Sequence, residues 1–155
     1  MDRKVFGAID ESALQRLAKH LASAAQAGGV IHLAGELGAG KTTFARALLH
    51  ALGVGERIKS PTYSLIESYQ IPGLDIHHLD LYRIADAGEL EWLGLDDLWT
   101  PAALVLIEWP ERAAGTLPAP DLALSLSHAG SVRKLEAVAS GARGRALLQV
   151  WDRPD

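Results

Sequence analysis

Gly35-Glu36-Leu37-Gly38-Ala39-Gly40-Lys41-Thr42 decides how this chain is read. The stretch fits G-x-x-x-x-G-K-[ST], in which glycines let the backbone curl until successive N–H groups point inward at phosphate oxygens. A helix that starts directly after such a loop adds its positive N-terminus to the same anion. Lys41 is then placed to reach β- and γ-phosphates, and the Thr42 hydroxyl to ligate Mg2+. The flanking sequence meets the structural condition of the motif. Val30 to Ala34 is a short apolar run bounded by glycines, which predicts a buried strand. Lys41 to Leu52 has helical composition, with Phe44, Ala47, Leu48 and Ala51 on one face and Gly53 as its stop. The expected nucleotide-binding residues are therefore Gly35, Glu36, Leu37, Gly38, Ala39, Gly40, Lys41, Thr42 and Thr43.

Outward from the loop the chain alternates between strand and helix patterns. Glu11 to Gln26 predicts an amphipathic helix, with Leu14, Leu17, Ala18, Leu21 and Ala25 on one stripe and Asp10 or Ser12 as its cap. Downstream, Tyr63 to Tyr69 is β-rich, Pro72-Gly73 marks a turn, and Ile76 to Leu81 predicts a strand ending near Asp80. Asp86 to Trp99 predicts a helix broken near Gly94, and Ala102 to Ile107 a strongly apolar strand with Glu108 at its carboxyl end. Leu122 to Ser127 and Leu135 to Ala139 are weaker strands, and Arg143 to Trp151 a last helix or strand. The alternation predicts one α/β domain over residues 1–155. It would be a three-layer phosphate-loop NTPase fold whose mostly parallel central sheet is covered on both faces. Ligands in such sheets sit at the carboxyl ends of the strands, where the glycine loop, Asp80 and Glu108 converge.

Those two acids are the candidate metal and catalytic partners of the loop. A nucleotide–Mg2+ site needs a carboxylate near the metal and a group that orients the attacking water. Thr42, Asp80 and Glu108 are the candidate Mg2+ ligands, and Lys41, Asp80 and Glu108 the candidate catalytic residues, with the division of roles between the two acids open. Lys59-Ser60-Pro61-Thr62-Tyr63 lies where related hydrolases carry a segment that feels the γ-phosphate. On pattern alone a Ser-Pro turn opening a strand is the better reading of it, with Thr62 as the residue that would touch metal or phosphate. His77 and His78 alternate across a strand and make no metal pair. Trp92 and Trp99 read as core. Trp109, directly after Glu108, is a candidate to border the nucleotide, with adenine stacking as one reading. The acidic residues from Asp86 to Asp97 form a solvated face or a partner surface.

Composition narrows the class. The 155 residues are 48% hydrophobic and 22% charged with a net charge of −4, values that exclude disorder and a global basic field for nucleic acid. Cysteine is absent, so disulfides, thiolate metal sites and cysteine nucleophiles are excluded. No secretory signal or membrane-spanning stretch is read, and a cytoplasmic monomer is expected. Asparagine is absent too, so the N-K-x-D guanine motif cannot be present, and no D-x-x-G follows the loop. ATP is the expected nucleotide. No L-S-G-G-Q signature occurs. Between Leu81 and Trp109 the single arginine is Arg83, which leaves a small-molecule kinase as the poorly supported alternative. A loop that binds nucleotide without turning it over is the third reading. No arginine finger is evident, which predicts slow turnover alone, since a finger is worth ~10³–10⁵-fold.

Set in order, the motifs resemble one family. Gly35 to Thr43, Lys59 to Tyr63, His78-Leu79-Asp80-Leu81-Tyr82-Arg83, Glu89-Leu90-Glu91 with Leu93-Gly94, Ile107-Glu108-Trp109-Pro110 and Leu117-Pro118 are similar to the TsaE (YjeE) ATPases. These are the bacterial factors for threonylcarbamoyladenosine modification of tRNA. The likeness covers about residues 30 to 120. It implies a phosphate-loop ATPase that works with TsaB and TsaD, meets tRNA only through those partners, and cycles on ATP and Mg2+ without transferring the threonylcarbamoyl group itself. It implies that Gly38 to Thr43 hold phosphates, that Thr42 and Glu108 bind Mg2+ and that Asp80 lies beside them. It also turns Ser60 to Tyr63 into a nucleotide-sensing loop and Trp109 into a nucleotide neighbour. Family members often carry a threonine early in the first helix, near the adenine; here the comparable position is Leu14.

Overall fold

The computed structural model describes residues 2–55, 58, 65–84, 88–91 and 98–152. Strands β1 (Arg3–Ile9), β2 (Gly29–Gly35), β3 (Ile66–Ile71), β4 (Leu74–Asp80), β5 (Ala103–Glu108), β6 (Leu122–Ala129) and β7 (Val132–Ala139) form a seven-stranded sheet ordered β1-β7-β6-β2-β5-β4-β3. The pairs β6–β2, β2–β5 and β5–β4 are parallel. The pairs β3–β4 and β6–β7 are antiparallel because a tight turn links each, and a tight turn can only reverse the chain; β1 also runs antiparallel to β7 at the sheet edge. The expected sheet is present, with a parallel centre and antiparallel flanks.

Helices α1 (Glu11–Ala25), α2 (Lys41–Ala51) and α4 (Gly141–Leu148) pack on one face, where Leu14, Leu21, Phe44, Leu48 and Leu147 meet Ile31, Leu33, Leu104 and Leu106 in one core. The Asp10 carboxylate accepts from the Ala13 N–H at 2.8 Å and caps α1, satisfying a donor that the first helical turn leaves unpaired. The other face is smaller. Leu79, Val105 and Ile107 pack there against Leu81, Ile84, Leu90 of the short α3 (Gly88–Glu91), and Ala113. Successive residues of β5 alternate between the two cores and all six are buried, which is why its sequence reads as an unbroken apolar run. The same alternation sends Glu108 out on the face of Leu104 and Leu106, toward α2.

Several segments differ from the sequence reading. Strand β1 was not anticipated. It lies at the sheet edge, its side chains are mostly exposed, and its pairing with β7 breaks register between Phe6 and Ile9, so no clean alternation marks it. The last segment resolves as α4 followed by a 3-10 turn, Gln149–Asp152. Of the expected Asp86 to Trp99 helix, α3 is present. Trp99 is not helical, though it packs on the smaller core as expected. Trp92 and the rest of residues 92–97 lie outside the described residues, as do 59–64 with Thr62, and Arg153. No helix among the described residues is long and apolar enough to cross a membrane.

Gly144 sits inside α4, where glycine is ordinarily about 1 kcal/mol worse than alanine. A Cβ there would stand 1.9 Å from the Asp121 carbonyl oxygen, so the helix packs against that backbone only because the side chain is missing. Gly144→Ala should therefore destabilise, by ~1–3 kcal/mol, instead of stabilising. A lowered urea midpoint with unchanged slope is the expected reading, and a raised midpoint would contradict the packing.

Candidate functional site

The chain leaves β2 at Gly35 with φ +144°. A Cβ at this position would lie 2.2 Å from the Leu126 carbonyl oxygen of β6, so only glycine lets the two backbones approach this closely. The Glu36 N–H then donates to Leu126 O at 3.3 Å. The β6 end grips the loop twice more: the His128 N–H donates to Glu36 Oε1 at 3.2 Å, and its ring nitrogen Nε2 lies 3.1 Å from Leu37 O. The loop closes into α2, whose first residue is Lys41.

Lys41 is 5% exposed, and its ammonium donates to the carbonyls of Gly35 at 2.7 Å and Glu36 at 2.8 Å. Nζ also stands 4.0 Å from the centroid of the Trp109 ring, a cation–π contact. Burial lowers the lysine's pKa, and the charges of Glu108, Glu111, Asp80 and Glu36 oppose that shift.

Asp80 and Glu108 are neighbours in register on the parallel strands β4 and β5. The Thr42 hydroxyl donates to Glu108 Oε1 at 2.8 Å, and His78 Nε2 lies 2.6 Å from Glu108 Oε2. Both oxygens of a carboxylate that is 1% exposed are thus held, and His78 beneath it is fully buried. Asp80 Oδ1 accepts from the Tyr82 N–H at 3.0 Å. Burial raises the Asp80 pKa, the Tyr82 N–H lowers it, and the nearby Glu108 charge raises it further. Thr42, Glu108 and Asp80 offer hard oxygen donors, a set that suits Mg2+. Among the described residues no cluster of three His, Asp or Glu side chains forms a ready cage.

Trp109 has φ +59° and ψ 48°, left-handed values that cost a non-glycine residue about 1 kcal/mol. Its N–H donates to Leu33 O at 3.2 Å, and its ring lies 4.9 Å from that of Tyr82. The strained backbone turns the indole back over Lys41.

These groups line a cavity of about 320 Å³, within the range of small-ligand sites. The structure brings together Leu37, Gly38, Gly40, Lys41, Thr42, Thr43, Asp80, Glu108 and Trp109, all expected from sequence. Gly35, Glu36 and Ala39 shape the loop behind that wall. A wider groove between α1 and α2, about 670 Å³, shares Thr43 but lacks the glycine loop and the strand-end acids. Leu14, at the position compared with an adenine contact, is fully buried and packs beneath Gly40. Two features of the site had no role in the sequence reading. His78 was read only as one of an alternating pair; its partner Glu108 is 30 residues away and no local pattern reveals it. Arg83 and Arg133 both line the cavity, although the sequence offered no evident arginine for it.

The chain's likeness to known proteins agrees with this geometry. The profile of a family described as threonylcarbamoyl adenosine biosynthesis protein TsaE matches residues 8–135, a span that includes the glycine loop and both acids. The Haemophilus influenzae tRNA threonylcarbamoyladenosine biosynthesis protein TsaE is 39% identical over 122 residues, 79% of this chain and 77% of that protein. The Bacillus subtilis protein of the same name is 34% identical over 148 residues, 95% of this chain and 92% of that one. The crystal structure of Bacillus subtilis YdiB superposes with a TM-score of 0.79 at 29% identity, covering 97% of this chain and 95% of that chain.

Asp80 is acidic, half-buried and beside a second carboxylate, so its ionised form is disfavoured by folding. With the folded pKa raised, stability falls as pH rises from the ordinary aspartate value through the folded one, and the penalty persists above it. Asp80→Asn, which keeps the acceptor for Tyr82, should unfold at a higher temperature than wild type at about pH 7 without nucleotide, and the gap should close as pH falls below the ordinary aspartate range. A gap that widens on acidification would reverse the assignment.

Proposed function

Because the chain belongs to the TsaE family of threonylcarbamoyl adenosine biosynthesis proteins, we propose that it hydrolyses ATP with Mg2+ as a cycling switch in tRNA threonylcarbamoyladenosine modification. The observation that carries this reading is the convergence of Lys41, Thr42 and Glu108 on one cavity at the end of the glycine loop. In this reading the loop amides and the N-terminus of α2 bind the polyphosphate, and Lys41 exchanges its loop carbonyls for phosphate oxygens. Thr42 and Glu108 hold the metal, with His78 fixing the Glu108 carboxylate. Mg2+, when bound, neutralises charge on the phosphoryl oxygens. Asp80, across the strand pair with one oxygen tied to Tyr82, orients the water. The Trp109 ring covers Lys41 and keeps that corner dry, where the ammonium is worth more to a developing charge.

The reading includes partners. Turnover is slow alone and rises when TsaB and TsaD are present, since the chemistry of threonylcarbamoyl transfer belongs to them and the ATPase resets the assembly.

Phosphate release from ATP and Mg2+, measured with and without TsaB and TsaD, is the test. Free phosphate without an acceptor, faster with the partners, is the expected result; phosphate appearing only on an added metabolite would make the protein a kinase. Lys41→Ala should lose at least ~10²-fold in the single-turnover rate, the loss typical of removing one group preorganised for transition-state charge. Normal hydrolysis by that variant would overturn the site.

A further inference from the structure

Each of the two strand-end acids has one oxygen already taken by a donor of the protein. Asp80 Oδ1 accepts from the Tyr82 N–H at 3.0 Å. Glu108 Oε2 lies 2.6 Å from His78 Nε2, and because a carboxylate only accepts, the ring N–H is the donor. The other oxygen of Glu108 is held differently. Oε1 accepts from the Thr42 hydroxyl at 2.8 Å, at the wall of the cavity. A hydroxyl rotates, and this one is itself a candidate ligand, so Oε1 can be vacated. His78 has no such freedom. Its ring is fully buried on the central strand β4, in register with Leu106 and on the same face of the sheet as Glu108. Its other ring nitrogen, Nδ1, is buried without a hydrogen-bond partner. A phenylalanine would fill this space without leaving a buried nitrogen unpaired, so packing alone does not account for a histidine here.

How many oxygens a carboxylate can offer is one property that separates divalent cations. Ca2+ takes about six to eight oxygens in a flexible arrangement and uses bidentate carboxylates. Mg2+ demands a compact octahedral set, built from waters and single carboxylate oxygens. We propose that His78 is a positioning residue that selects Mg2+ over Ca2+: by holding Glu108 Oε2, it leaves that carboxylate one oxygen for an ion. Asp80 is limited in the same way by the backbone N–H of Tyr82, so neither acid can close on an ion with both oxygens. The proposal rests on the nucleotide–Mg2+ reading of the site and adds to it the residue that sets the identity of the ion.

Calorimetric titration with a non-hydrolysable ATP analogue is the test, run in saturating Mg2+, in saturating Ca2+ and in EDTA. For wild type, His78→Gln, His78→Asn and His78→Phe, the quantity read is the dissociation constant in Ca2+ divided by that in Mg2+. The analogue's own ion preference is common to all four proteins and cancels between them. A variant that merely loosens the fold weakens both complexes and leaves the ratio unchanged. Glutamine is long enough to bring an amide N–H to the place of Nε2; asparagine is too short, and phenylalanine has no donor. Wild type should bind more tightly with Mg2+. In His78→Asn and His78→Phe the ratio should fall by about tenfold or more, the effect typical of removing the hydrogen-bond partner of a metal ligand. His78→Gln should keep most of the wild-type ratio. Equal binding by wild type in the two ions would overturn the proposal while leaving the nucleotide site in place. So would an unchanged ratio in His78→Asn and His78→Phe, or a ratio lost as fully in His78→Gln as in His78→Phe. A wild-type affinity in Mg2+ no tighter than in EDTA would remove the metal reading, and no binding of the analogue under any condition would remove the nucleotide reading; this selectivity would go with either.

Discussion

The site depends on one close approach, where the backbone at residue 35 meets the end of β6. A Cβ would intrude to 2.2 Å of the Leu126 carbonyl, so the chain can turn out of the sheet there only as glycine. From that turn the geometry follows. Glu36 and Leu37 are caught by β6, the loop returns over the end of β2, and α2 starts with Lys41 and Thr42 facing the ends of β5 and β4. Had the loop been displaced by one residue, the Thr42 hydroxyl would not meet Glu108, and the lysine would not lie under Trp109.

Charge is arranged around this turn in a graded way. Glu108 is almost fully buried, which would be costly for a bare carboxylate, and its two oxygens are held by Thr42 and His78. Asp80 is one strand further out, less buried, and held by a single backbone N–H. The inner acid is therefore locked and the outer one less constrained. That difference comes from strand order and register.

Much of this was legible locally. The glycine loop, β2, α2 and β5 announced themselves because their signals are short-range: glycines at a fixed spacing, an apolar run buried on both sides, a helical stripe. Asp80 and Glu108 were recognised as strand ends, and parallel pairing then set them side by side. What the sequence hid was non-local. His78 matters only because Glu108 comes to rest on it. Arg133 lies ahead of the apolar positions that marked β7, so its place on the loop-facing side emerged only once the strand was seen to begin at Val132. β1 is specified by its partner strand and not by its own pattern, and its exposed edge residues carry little periodicity.

The grip of β6 on the phosphate loop also bears on the order in which the molecule can form. His128 and Glu36 are 92 residues apart in sequence, and β1 is completed only by pairing with β7. Chain emerging from a ribosome would therefore carry the full glycine motif long before anything holds it in shape. The loop's supporting strand is among the last to be made, and contacts of such sequence separation form slowly. The loop should accordingly take its final shape late and abruptly during synthesis, when the C-terminal hairpin docks, and a nascent chain ending before β6 would have the motif but not the strand that holds it.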